Sequence, residues 1–326
     1  MKMNTNVVGV DMGGTKILAA VVNEEGNILS TAKIPTQAKD DTSIVIDRIA
    51  GCIREAFQKS GVAANSIQAI GIGAPGPLDP ETGVVIFAPN LGWKDVPLKT
   101  ELEARIDIPT FVDNDVNVGT LGEHTFGAGR GMQNLVGIFV GTGIGGGIIL
   151  NGALFHGASK TAGEIGHIIV KADGPKCGCG NRGCLEALAS RTAMAKQFQK
   201  SIKKKGKKSI LTKLTNGDLG LIRSGTLAKA LRSKDKLTLK VFKDATKYLG
   251  VGIGSIVNFL NPEMIVLGGG VVEALDDTFI DGIRKAAKKY ALPDTLKGVQ
   301  IVKAELGDNA GVLGAAALAR QRLKSA

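Results

Sequence analysis

Residues 7–29 read VVGVDMGGTKILAAVVNEEGNIL, and residues 135–155 read LVGIFVGTGIGGGIILNGALF. Each is an apolar run, a glycine-rich turn with a threonine, a second apolar run, a turn containing Gly and Asn, and a further apolar stretch. Apolar runs broken by such turns predict strands in a meander. The plan occurs twice, at a spacing far longer than a solenoid repeat, so the sequence predicts two similar domains facing each other.

The segments after the two meanders also match. Val45, Ile49, Cys52, Ile53, Ala56 and Phe57 fall at helical spacing within residues 42–60, which puts Cys52 in the core, and AIGIGAPG at 69–76 reads as a strand. In the second half, residues 238–260 read as a helix and EMIVLGGGV at 263–271 as a buried strand. Residues 307–323 predict a last helix, capped by Asp308 or Asn309.

A chain of 326 residues with 44% apolar and 22% charged residues is long enough for two cores. No apolar stretch is long enough to span a bilayer, and the start, MKMNTNVVGVDMGG, has no secretory h-region. The expected location is cytoplasmic. The net charge of +11 gathers in residues 196–247, which include IKKKGKK at 202–208 and almost no aromatic residues on which bases would stack. This reads as a solvated face, with no nucleic-acid and no membrane partner.

GTGIGG at 141–146 fits the dinucleotide fingerprint G-x-G-x-x-G, with Glu164 at the distance of a ribose contact. That fingerprint must open a helix, whereas here the chain continues as strand, turn and strand, so a dinucleotide site is excluded. A glycine hairpin instead offers backbone N–H groups to phosphate oxygens. Asp11, Gly13, Gly14, Thr15 and Lys16 form one such hairpin, with a carboxylate to hold Mg²⁺; Gly141, Thr142 and Gly143 form the other. Together they predict a nucleoside triphosphate site, with Gly268 and Gly269 as flat backbone beneath the base.

KCGCGNRGCLE at 176–186 holds three of the four cysteines. With His167, ten residues before Cys177, the thiols Cys177, Cys179 and Cys184 make a closed tetrahedral shell for structural Zn²⁺. A disulfide is the competing reading, disfavoured in the cytoplasm and leaving one thiol over. The cluster would hold the flanking carboxylates Glu164 and Glu186 for a polyhydroxylated ligand.

FVDNDVNVGTLGEH at 111–124 reads as a strand running into a helix, with Asn114 and Asp115 at the junction. A carboxylate there is stabilised as the anion, so Asp115 is the candidate general base; Asp113 or Asp115 acting only as N-cap is the alternative. Asn114, Asn90 and the backbone near Gly76 are candidate substrate contacts, and Trp93 is either a hydrophobic wall or a packed loop anchor.

With these residues assembled, the chain resembles the ROK family of repressors and sugar kinases, specifically its bacterial glucokinase-like members. The resemblance rests on V-x-x-G-I-G-x-G-I at 140–148, on Gly157, Gly163, Gly166 and His167, on Cys177-x-Cys179-Gly180 and Gly183-Cys184-x-Glu186, and on DMGGTK. It implies an α/β fold of duplicated ribonuclease-H-like, actin-like ATPase domains with a cleft between them. The implied division is a small domain at 1–118, a large domain at 119–307 and a helix at 308–326 packing back on the small domain. It further implies Asp115 as the base, Asn114, Glu164, His167 and Glu186 on the sugar, Mg-ATP at Asp11–Lys16 and Gly141–Gly143, and a homodimer. His167 then serves zinc through one ring nitrogen and a sugar hydroxyl through the other.

The expected activity is phosphoryl transfer from ATP to the 6-hydroxyl of glucose. Fructokinase, N-acetylhexosamine kinase and polyphosphate-using glucokinase are the enzyme alternatives. A sugar-sensing repressor is disfavoured, because such proteins carry a helix-turn-helix ahead of the first phosphate loop, which here begins ten residues from the start.

Overall fold

The structure is a computed structural model that describes residues 5–63, 66–275 and 277–325. Met1–Asn4, part of the start read above for a leader, lie outside the described residues. The strands are β1 (Asn6–Met12), β2 (Lys16–Val22), β3 (Ile28–Pro35), β4 (Ile67–Ala74), β5 (Leu78–Asp79), β6 (Val84–Ala88), β7 (Trp93–Val96), β8 (Thr110–Asn114), β9 (Leu135–Val140), β10 (Ile144–Leu150), β11 (Ala153–Leu154), β12 (Met264–Gly268) and β13 (Gln300–Lys303). The helices are α1 (Thr42–Ser60), α2 (Leu98–Ile106), α3 (Asp115–Phe126), α4 (Leu185–Ala189), α5 (Arg191–Gln199), α6 (Leu211–Leu214), α7 (Ser224–Arg232), α8 (Lys236–Leu260), α9 (Gly270–Ala274), α10 (Asp277–Ala287), α11 (Pro293–Leu296) and α12 (Ala310–Ser325). Among the described residues no helix is long and apolar enough to cross a membrane.

The duplication is visible in the sheets. One has the order β3-β2-β1-β4-β8 and the other β11-β10-β9-β12-β13, so each places its meander and its two later strands in the same sequence. In the first, β1 and β2 pair antiparallel, while β1 with β4 and β4 with β8 pair parallel. In the second, β12 pairs parallel with both β9 and β13. This is the duplicated ribonuclease-H-like, actin-like ATPase order.

The chain divides into two compact units, one of Met1–Gln133, Gly147–Gly163 and Glu305–Ala326, the other of Asn134–Gly146 and Glu164–Ala304. This differs from a break at 118/119, because α3 packs heavily on α12 and stays with the first unit.

In the first unit, β1 alternates its side chains between two cores. Val8, Val10 and Met12 join the α1 side with Ile49 and Ile53, while Val7 meets Val312 and Ala316 of α12. A Cβ on Gly9 would stand 1.9 Å from Val312 O, and one on Gly71 1.8 Å from Ala315 O, so these strand glycines let α12 lie against the sheet. Cys52 and Trp93 are each 1% exposed, which makes Trp93 a packed anchor and not a wall.

In the second unit, α8 buries Val241, Ala245, Leu249, Ile253 and Val257 along one face, and its first turn is capped by Asp235, which accepts from Thr238 N at 2.8 Å. The expected strand at 263–271 stops at Gly268, because Gly269 takes φ +87° and Gly270 opens α9. The lysines at 203–205 and 207–208 are exposed.

Candidate functional site

The first unit carries the hairpin between β1 and β2. Gly13 N donates to Lys16 O at 2.9 Å, and Thr36 holds the turn from outside, its Oγ1 donating to Gly13 O at 2.6 Å and its N to Thr15 O at 3.1 Å. Gly14 and Thr15 are left exposed, with Asn90 beside Gly14. Burial raises the pKa of Asp11, Lys16 lowers it and Asp308 raises it. Lys16 Nζ lies 3.8 Å from Asp308 Oδ1.

Strand β8 delivers Asn114 and Asp115 to the start of α3. The cap is Asn114, not either aspartate: its Oδ1 accepts from Val116 N at 2.9 Å and Asn117 N at 3.3 Å. Its Nδ2 donates one of its two hydrogens to Gly76 O at 3.3 Å, which helps fix the turn and leaves the other hydrogen for a ligand. Gly76 has φ +91°, and a Cβ there would meet Phe87 O at 2.1 Å. Asp115 is therefore not the cap, although its Oδ1 shares the Val116 N–H at 2.9 Å. The helix start does not win its titration as expected: burial first, then the charge of Asp11, push its pKa up to about 7, against hydrogen bonds from the Val116 backbone that lower it.

The second unit carries the hairpin between β9 and β10. Gly141 N donates to Gly143 O at 2.9 Å, and the start of α5 clasps the turn: Arg191 N donates to Gly141 O at 3.0 Å and Thr192 Oγ1 to Thr142 O at 2.7 Å. Glu186 holds the other side, its Oε2 accepting from Ile144 N at 3.0 Å. A Cβ on Gly143 would stand 2.3 Å from that oxygen, so the glycine is required by the carboxylate. At Gly269 a Cβ would press on the Val140 backbone at 2.8 Å.

His167 ends a short 3-10 turn, and the cysteine loop folds back on the strand-like segment after it, with Val170 N donating to Gly183 O at 3.0 Å and Leu185 N to Ile168 O at 2.9 Å. The four ligand atoms of His167, Cys177, Cys179 and Cys184 all lie within 4.8 Å of one another. A tetrahedral zinc with bonds to sulfur of about 2.3 Å sets its sulfurs about 3.8 Å apart. Cys179 Sγ and Cys184 Sγ are 3.7 Å apart, and Cys177 Sγ is 3.7 Å from His167 Nδ1. The set fits such a cation and leaves no open position; all four cysteines are free thiols and no disulfide forms. Burial, with the neighbouring thiols, pushes Cys184 up to about 12. His167 Nε2 faces away from Cys177, 3.8 Å from Glu164 Oε2, and Glu186 Oε1 comes within 3.9 Å of Cys177 Sγ.

The ROK family model matches residues 7–322. The chain belongs to the ROK family. A glucokinase of Halalkalibacterium halodurans is 39% identical over 319 residues, covering 98% of this chain and 96% of that protein. A ROK-family glucokinase from Streptomyces griseus, solved in complex with glucose and AMPPNP, superposes with a TM-score of 0.84 at 36% identity, covering 97% of this chain and 99% of the other. A xylose repressor of Bacillus subtilis is 31% identical, covering 94% of this chain and 75% of its own length.

Two features of this ROK chain escaped the sequence reading. Asp113 is 1% exposed and accepts from His156, 43 residues away, which no local pattern links to it. Arg191 reaches the second hairpin from the start of α5; the Ser190 cap, accepting from Ala193 N at 3.1 Å, is the signal that marks that helix start.

Proposed function

We infer that this ROK chain is an ATP-dependent glucokinase, transferring the γ-phosphoryl group of ATP to the 6-hydroxyl of glucose. The observation that carries the reading is Asp115, a partly buried carboxylate on a rigid helix start whose pKa of about 7 suits a general base near neutral pH. The H. halodurans and S. griseus relatives, both glucokinases, supply the sugar, and the AMPPNP bound by the latter supports ATP as donor.

Asp115 accepts the O6 proton as oxygen bonds to the γ-phosphorus, and ADP leaves with the electrons of the broken bond. The hairpin N–H groups and the Lys16 ammonium offset charge on the transferring group. The proposed sugar partners are Gly76, Asn90 and Asn114 from the first unit and Glu164, His167 through Nε2, and Glu186 from the second. Mg²⁺, when bound, neutralises phosphate charge; Asp11 is the residue to hold it. Asp308 raises the pKa of Asp11, which raises that of Asp115, so added positive charge is favourable there. Zn²⁺ at His167, Cys177, Cys179 and Cys184 is structural and fixes Glu164 and Glu186. The proposed setting is a cytoplasmic homodimer, on the family resemblance.

The test is ADP release with Mg-ATP against glucose, mannose, fructose, N-acetylglucosamine and N-acetylmannosamine. Glucose is expected to give the highest kcat/KM. Turnover on none of them, from folded zinc-loaded protein, overturns the reading.

A further inference from the structure

Arg191 stands at the second glycine hairpin with most of its donors unspent. Its Nη2 donates to Thr142 Oγ1 at 2.5 Å, and its backbone N holds Gly141 O. A guanidinium has five N–H donors and prefers a planar, doubly bonded acceptor such as carboxylate or phosphate. Among the described residues, Arg191 has no carboxylate partner. The charge that acts on it is of the same sign: Arg223, at the N-terminal boundary of α7, and burial ahead of it, both lower the Arg191 pKa. The next residue, Ser224, buries an Oγ without a hydrogen-bond partner, and that oxygen is 3.6 Å from where a Cβ on Gly270 would stand.

Two like charges, a glycine hairpin and an orphaned hydroxyl beside the Gly268–Gly270 turn make a poor structural device and a good polyanion receptor. The hairpin does not need Arg191 for its shape, since Thr192 and Glu186 already hold it. We propose that Arg191 is a phosphate-binding residue for the nucleotide, its guanidinium donating to ATP phosphate oxygens beside Thr142, with Arg223 adding positive charge. This rests on the kinase reading above and adds to it a side chain outside the glycine motifs.

The experiment compares equilibrium binding of Mg-ATP, AMP and adenosine to the intact zinc-loaded protein, for wild type, Arg191→Ala, Arg191→Gln and Arg191→Lys. Loss of a charge-assisted contact is expected to weaken Mg-ATP by about 10- to 100-fold. Adenosine affinity stays within about twofold of wild type, because it lacks the phosphates. Arg191→Gln retains a donor for Thr142 but no charge, so it should fall with Arg191→Ala, while Arg191→Lys recovers part of the loss. In turnover the defect appears as a raised KM for ATP and not for glucose. An unchanged Mg-ATP affinity, or equal losses for ATP and adenosine, overturns the proposal. If wild type binds ATP in the expected pattern yet phosphorylates no sugar, the kinase reading fails and the phosphate contact stands.

Discussion

His156 Nε2 lies 2.7 Å from Asp113 Oδ2, tying the loop after β11 to β8, the strand that runs into Asp115 at the start of α3. The other oxygen of Asp113 accepts from Asn114 N at 2.7 Å and from Asn117 Nδ2 at 2.9 Å. Both oxygens of a carboxylate only 1% exposed are thus partnered, one by His156 and the other by Asn114 and Asn117 at the start of α3. The loop is held a second time by Lys160 Nζ on Glu81 Oε1 at 2.5 Å, before the chain reaches Glu164.

Removing the imidazole leaves a buried carboxylate oxygen without a donor. His156→Ala is expected to cost on the order of 3 kcal/mol in urea denaturation. His156→Gln places an amide donor near the former Nε2 and should recover most of it. If both variants match wild type in stability, the pair carries no structural weight. If the pair also aims Asp115, His156→Ala lowers kcat in the surviving folded protein and the Gln variant restores it.

Asp115 ties stability to activity through pH. Its carboxyl titrates at about 7 in the fold against an ordinary 3.8, so between those values the folded chain binds a proton that the unfolded chain has released. The unfolded state binds fewer protons there, and stability falls as pH rises from about 4 to about 7. At pH 8 the ionised group costs the fold on the order of 4 kcal/mol. Asp115→Asn should therefore raise the unfolding midpoint at pH 8, converge with wild type near pH 4, and lower turnover by about 10² to 10⁴-fold. In wild type, kcat/KM for the sugar should drop on the acid side of about pH 7. A flat profile from pH 5.5 to 8 would remove Asp115 from the role.

The meanders, α1, α8 and the cysteine cluster were legible because each is written locally, as apolar periodicity or as ligands within a few residues. The duplication was legible for the same reason, since two turns of matching composition recur. Relations across the chain were not. Asn114, not an aspartate, is the cap, and Asp113 is held inward by His156, 43 residues on. The unit boundary moved past α3 because its packing on α12, nearly two hundred residues on, outweighs its nearness to the second meander. The anion-stabilising helix start at Asp115 was outweighed by burial and by Asp11, and neither is visible in FVDNDV.

The cysteine loop should be a metal-dependent element. Zinc analysis of purified protein is expected to give about one equivalent per chain, falling to near zero in Cys184→Ser. Chelation should expose the loop to protease and lower activity, because Glu186 sits between Cys177 and the second hairpin through Ile144 N. Metal-free protein with unchanged activity and melting temperature would show that the loop holds Glu186 without the ion.

Two glycines of α12, three residues apart, should fail in different ways. A Cβ on Gly314 would stand 1.6 Å from Val118 O and 2.8 Å from Gly122 N, both backbone atoms of α3 that cannot turn aside. Gly314→Ala must part the two helices and is expected to lose about 3 kcal/mol of stability or more. A Cβ on Gly311 would instead meet the side chain of Asp11, 2.7 Å from its Cγ. That side chain can rotate away, and alanine gains about 1 kcal/mol of helix propensity over glycine. Gly311→Ala should keep or slightly raise the melting temperature while raising the Mg²⁺ concentration needed for half-maximal turnover, because the displaced carboxylate is the one proposed to hold the ion. Gly51, mid-helix in α1 with nothing within 4 Å, serves as the control: its alanine variant should only stabilise. Equal loss of stability in Gly311→Ala and Gly314→Ala, with unchanged Mg²⁺ dependence, would take Asp11 out of the nucleotide site.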